Sequence, residues 1–127
     1  VSKLSILSKY LLGVIYFVFG LNGFLNFLPL PPLPSDAAAL LGAFVGTGYF
    51  FPFVKGTEVI ASVMLLTKIA SPLALLVLAP ITLNIFLFHL YLTPGIENQI
   101  MGFVMLAAHL FAAIPYWKFY SPLFKKI

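Results

Sequence analysis

Long apolar blocks run along this chain, and prolines, glycines and lysines mark the breaks between them. The first block extends from Leu4 to Leu28, with polar breaks only at Ser5, Ser8, Lys9, Asn22 and Asn26. A membrane span takes about 20 mostly apolar residues, so this block predicts a first span. The uninterrupted stretch from Tyr10 to Leu21 leads to further aromatics and then prolines, with no small-residue cleavage site. It therefore reads as a retained span and not as a signal peptide.

Pro29-Leu30-Pro31-Pro32-Leu33-Pro34 follows, and four prolines in six residues predict an extended turn. Ser35 or Asp36 then stands where a helix N-cap belongs, ahead of an alanine- and leucine-rich stretch that Gly46-Thr47-Gly48 ends. A helix over 35–45 would be about 15 Å long, too short to span. Tyr49-Phe50-Phe51 suits an aromatic belt at a membrane interface. A second span is predicted from Pro52 to Thr67, carrying Lys55 and Glu58, with a tight turn at Lys68-Ile69-Ala70-Ser71. Pro72 opens a third span that ends near Leu92, with a kink expected at Pro80. After the turn at Thr93-Pro94-Gly95, a fourth span covers about 98–117, and Trp117, Tyr120 and three lysines close the chain at an interface. The expected fold class is all-α: one domain over 1–127, a bundle of four transmembrane helices with a short extra helix on its outer side.

Composition agrees with this reading. Of the 127 residues, 62% are hydrophobic and 8% charged, whereas a soluble domain is about 25% charged. The net charge of +4 does not point to nucleic acid, because the lysines form no basic stripe interleaved with aromatics. They follow topology. With the N-terminus inside, Lys3, Lys9, Lys68, Lys118, Lys125 and Lys126 face the cytoplasm, while Lys55, Asp36, Glu58 and Glu97 lie toward the outside. Both termini are then cytoplasmic. The chain has no cysteine, which excludes disulfides, thiolate catalysis and iron–sulfur ligation on it.

Polar groups inside spans are costly and are functional candidates by default. Counting about 1.5 Å per residue, Asn22 and Glu58 lie about 9 Å below the outer surface and Asn84 about 12 Å. These three are expected to share a polar pocket in the outer leaflet. His89 lies at about 5 Å and His109 at about 17 Å. That gap of about 12 Å disfavours a haem held by both histidines. Phe51, Lys55, Glu58 and Ser62 form one helical stripe, on which Lys55 and Glu58 can pair. Asn84 and His89 are about 140° apart around their helix, so both are not expected to point the same way. Glu58 with His109 offers a proton relay at two depths. Bland readings stand beside these: a structural ion pair at Lys55–Glu58, interhelical hydrogen bonds at Asn22 and Asn84, an interfacial His89 and a satisfied core His109. Two ligands at uncertain spacing do not make a metal site. Gly42-x-x-x-Gly46 has the spacing of a weak packing motif.

The segments Leu12–Gly23, Gly48–Pro52, Val54–Val59, Pro72–Leu75 and Asn84–His89 resemble the DoxX family of small four-span bacterial membrane proteins. The resemblance covers about 11–125, and Asn22, Glu58, Asn84 and His89 are its discriminating part. Many relatives look like Gly-x-x-Lys at the end of span one, where this chain has Gly20-Leu21-Asn22-Gly23. The role of that lysine is then absent here or taken by Lys55. The resemblance implies a bacterial inner-membrane protein. It also implies a loose link to redox work, because a related subunit belongs to a thiosulfate:quinone oxidoreductase.

The leading functional expectation is a ligand-binding or accessory subunit of a quinone-linked redox process. Asn22, Tyr49, Lys55, Glu58, Asn84 and His89 are the candidate ligand-binding residues, and Glu58 is the proton acceptor. Such a subunit would sit in a lipid bilayer beside a redox-enzyme partner or a second copy of itself. The alternatives are a small-solute or lipid transporter and a structural or chaperone-like membrane protein.

Overall fold

In the computed structural model, the described residues are 2–29 and 32–126. The fold is all-helical, with α1 (Lys3–Leu25), α2 (Ser35–Gly46), α3 (Phe50–Thr67), α4 (Ser71–Leu92), α5 (Ile96–Ala113) and the single turn α6 (Trp117–Tyr120). Three-residue and four-residue 3₁₀ turns flank α6 at Ile114–Tyr116 and Ser121–Phe124. Four helical segments are long and apolar enough to cross a membrane, the last running from Ile96 to Phe124. The chain is a multi-pass membrane protein. In the proline loop, Leu30 and Pro31 lie outside the described residues, and Pro32–Pro34 carry no regular structure.

Local chemistry sets the helix ends. The Ser2 hydroxyl caps α1 by accepting the Ser5 N–H at 3.1 Å. Pro34, not Ser35 or Asp36, is the N-cap of α2. The proline ring holds an extended backbone, and the Pro34 carbonyl accepts from the Ala38 N–H at 2.9 Å. Ser35 and Asp36 fall one step later, where Asp36 faces the positive helix end. Helix α3 starts two residues before Pro52, because a first-turn residue needs no N–H for the helix. Lys68 and Ala70, both left-handed, make the sharp turn into α4. Helix α4 continues through Pro80.

The long helices form a ring: α1 packs on α3 and α5, and α4 packs on α3 and α5. Helix α2 rests on α3 and α4 at one end. The start of α1, the segment after α5 and the Lys68 turn occupy the other, where Lys9 Nζ lies 3.5 Å from the Tyr116 hydroxyl and Tyr120 donates to the Pro72 carbonyl at 2.6 Å. The core is Leu12, Tyr16, Ala61, Leu65, Ala74, Leu75, Leu78, Met105, Ala108 and Ala112. Small residues let the helices approach closely. A Cβ on Gly20 would lie 2.9 Å from Val59 Cγ2, and one on Gly102 would lie 3.2 Å from the Phe86 Cα. Gly42 and Gly46 face open space, so the Gly-x-x-x-Gly spacing in α2 packs nothing. Large apolar side chains such as Leu7, Phe53, Ile60 and Leu110 point outward, as a bilayer solvent requires.

Candidate functional site

The site grows from the stripe on α3. Lys55 and Glu58 are one turn apart, and Lys55 Nζ meets Glu58 Oε1 at 3.3 Å. Glu58 is only 4% exposed, held against α1 where Gly20 leaves room for its Cβ. The Lys55 stem lies over Gly23, where a Cβ would stand 2.5 Å from Lys55 Cγ. The ammonium also sits 5.4 Å from the centre of the Phe51 ring.

This pair lines a cavity of about 460 Å³ between α2, α3 and α4. Its volume lies within the range of small-molecule pockets, and its walls have their usual make-up of apolar surface with a few convergent polar groups. Leu41 and Phe44 of α2 close one side, Phe50, Phe51 and Val54 of α3 another, and Ile81, Asn84, Ile85, Phe88 and His89 of α4 a third. The α2 wall is tied to α3 by Thr47, whose hydroxyl donates to the Phe44 carbonyl at 2.8 Å and accepts the Phe50 N–H at 3.1 Å. The Phe44 and Phe50 rings lie 4.6 Å apart.

Four polar side chains on this wall keep free hydrogen-bonding capacity. The Asn84 amide has no protein partner among the described residues. Among the described residues Glu58 Oε2 has no hydrogen-bond partner, and Lys55 has two further protons to donate. His89 Nδ1 lies 3.4 Å from Thr93 Oγ1, whose own proton goes to the His89 carbonyl at 2.9 Å. So Nδ1 is the donor in that weak contact, and the bare Nε2 is left as an acceptor.

Lys55, Glu58, Asn84 and His89 thus come together. Asn22 and Tyr49 do not join them. Asn22 is buried, but Leu28 N–H donates to its Oδ1 at 2.7 Å and its Nδ2 donates to the Leu28 carbonyl at 3.3 Å. It closes the chain reversal after α1, where Asn26 is left-handed. Depth along the helix put Asn22 level with Glu58, but the direction of its side chain turned it away. Tyr49 is 68% exposed, and its neighbour Phe50 lines the cavity in its place. Asn84 and His89 both reach the cavity despite their angular separation, because the cavity wraps around the flank of α4. His89 also lines a second, smaller space.

That second cavity, about 190 Å³, lies between α1, α3, α4 and α5. Lys55, Glu58, Ile85 and His89 border both spaces, and Tyr16, Met101 and Met105 line only the second. His109 lines neither, and its hydrogen bonds go elsewhere than to Glu58. Its Nε2 lies 2.9 Å from the Leu75 carbonyl and its Nδ1 2.7 Å from Thr82 Oγ1. Thr82 in turn lies 2.6 Å from the Tyr16 hydroxyl. Tyr16 and Thr82 are polar residues that sequence reasoning passed over. A hydroxyl in the middle of a span was the available signal. Among the described residues, no three His, Asp or Glu side chains gather as a metal site.

No known protein family, curated protein or solved structure matches this chain.

Proposed function

We propose that this chain is a DoxX-like, membrane-embedded binding subunit for a lipophilic ring compound with a polar head, a quinone in its most specific form. The observation that carries this reading is the set of free hydrogen-bonding groups on Lys55, Glu58, Asn84 and His89 around an apolar cavity. Among the described residues no fully buried side-chain polar atom lacks a partner, so these free groups open on the cavity, where a ligand can reach them. A bound head group that both accepts and donates matches them. A quinone has two carbonyl oxygens. One accepts a hydrogen bond from the Lys55 ammonium and the other from the Asn84 amide N–H, while Phe50, Phe51 and Phe88 contact the ring. Glu58 and His89 Nε2 accept from the hydroxyls of the reduced form.

The lysine distribution supports a bacterial inner membrane with both termini in the cytoplasm, so that the pocket opens in the outer leaflet. The position of Lys55 over Gly23 supports the family reading. A lysine from α3 fills the space of the side chain that relatives carry at the end of span one. Electrons then pass between the quinone and a partner redox enzyme, because this chain has no cysteine and no pair of level histidines.

Mass spectrometry of lipophiles extracted from gently purified protein tests the proposal, with Asn84→Leu and Glu58→Gln beside the wild type. A quinone enriched in the wild type and reduced about tenfold in both variants is the expected result, the equivalent of about 1.4 kcal/mol. Equal bulk phospholipid in all three, with no saturable quinone binding in nanodiscs, overturns it.

A further inference from the structure

The buried contacts among Tyr16, Thr82 and His109 have only one consistent hydrogen assignment when His109 is neutral. The Leu75 carbonyl can only accept, so His109 Nε2 carries the proton in the 2.9 Å contact. Nδ1 is then bare and accepts from Thr82 at 2.7 Å. Thr82 has a single hydroxyl proton, so its oxygen accepts from Tyr16 at 2.6 Å. The two side-chain bonds run one way, from α1 through α4 to α5, and the His109 ring then donates back to α4 at the Leu75 carbonyl. If His109 gains a second proton, the two bonds through Thr82 reverse, while Nε2–H still donates to the Leu75 carbonyl. Nδ1–H then donates to Thr82, Thr82 donates to Tyr16, and the Tyr16 proton turns away from Thr82 toward the second cavity, which Tyr16 lines.

Tyr16 lines that cavity together with Glu58. From this we propose that Tyr16 and Thr82 form a proton path between Glu58 and His109, with His109 as the proton store in the middle of the bundle. The cavity of about 190 Å³ has room for water, which needs about 30 Å³ per molecule and polar partners such as Glu58 and Tyr16. One proton leaves the Glu58 carboxyl group through that water to the Tyr16 oxygen. The Tyr16 proton moves to Thr82 and the Thr82 proton to His109 Nδ1. One O–H bond at Glu58 is broken and one N–H bond at His109 is made. Glu58 becomes a carboxylate beside Lys55, and His109 becomes an imidazolium. No electron changes hands.

The ionisable groups facing this path are few. Lys55 on α3 and His89 on α4 border the cavity beside Glu58, and no other Asp, Glu, Lys or His side chain lines it. His109 itself meets Thr82, the Leu75 carbonyl and, through Thr82, Tyr16. The path does not depend on a ligand in the outer pocket, so it can stand if quinone binding fails.

Time-resolved infrared spectroscopy after a pH drop tests it, on ¹⁵N-histidine-labelled protein in bilayers. The His109 band is identified by its loss in His109→Gln. Wild-type His109 is expected to gain a proton. In Tyr16→Phe and Glu58→Gln that gain is expected to slow about a hundredfold, the low end of what a positioned acid or base contributes. Glu58→Gln leaves the three hydrogen bonds intact, so a merely structural tie would not respond to it. If Tyr16→Phe does not fold, Thr82→Val interrupts the same path with nearly equal volume. A His109 that stays neutral throughout, or an unchanged rate in Glu58→Gln, overturns the proposal.

Discussion

His89 and His109 are the two histidines of the chain, both in apolar helices, and the structure treats them in opposite ways. His109 has both ring nitrogens matched inside the bundle, to Thr82 and to the Leu75 carbonyl. His89 has one weak contact to Thr93 and a bare Nε2 beside an open cavity. The two asparagines divide in the same way. Asn22 uses both ends of its amide on Leu28, whereas Asn84 has no protein partner among the described residues. A polar side chain in a membrane therefore reveals its role by what remains unmatched. A satisfied group ties helices together, even where, as proposed for His109, it also takes up a proton, and an unsatisfied one is open to a ligand.

Substitutions can break that contrast, beginning with one that strikes both layers. Gly20→Leu would drive its side chain into Val59 and Glu58, so α1 and α3 must separate. A loss of about 3 kcal/mol is expected, read as a lower midpoint in detergent unfolding, with ligand retention falling too. Thr82→Val should affect only the satisfied layer. It removes two interhelical hydrogen bonds, and about 1–2 kcal/mol of stability should go with them. The outer cavity should keep its ligand, and a parallel loss of binding would mean that the layers are not separate.

Asn22→Ala should cost about 1 kcal/mol, seen as faster proteolysis at the loop after α1, again with binding unchanged. Asn84→Ala is the mirror case. Thermal unfolding should stay within about 0.5 kcal/mol of wild type, as for a surface substitution, while ligand retention drops. A stability loss at Asn84 comparable to that at Asn22 would show that it ties helices. Smallest of all, Gly42→Ala in α2 meets open space and should stabilise by about 0.5–1 kcal/mol through helix propensity alone.

Much of this molecule was legible in its residue order. The four long helices, the short fifth and the turns at Lys68–Ala70 and Thr93–Gly95 follow from apolar run lengths and from proline and glycine placement. The Lys55–Glu58 pair follows from its one-turn spacing, which the backbone imposes within a single helix. The pocket was legible in part. Depth along a helix is a one-dimensional quantity, and it put Glu58, Asn84 and Asn22 at similar levels. Only two of them meet, because Asn22 turns back on its own loop. Tyr49 and Phe50 are neighbours in sequence, and the Thr47 link between α2 and α3 decides which of them faces inward.

Run length and hydropathy were enough to determine that this is a membrane bundle. In a bilayer the backbone must satisfy its own hydrogen bonds, and each apolar run of sufficient length does so locally as a helix. The tertiary structure alone decided which polar groups find partners. The contacts of Tyr16 with Thr82 and of Thr82 with His109 join residues 66 and 27 positions apart. They depend on the rotation and register of three helices against one another. That arrangement is set by close packing at glycines such as Gly20 and Gly102, a property of two surfaces in contact that no single run of sequence contains.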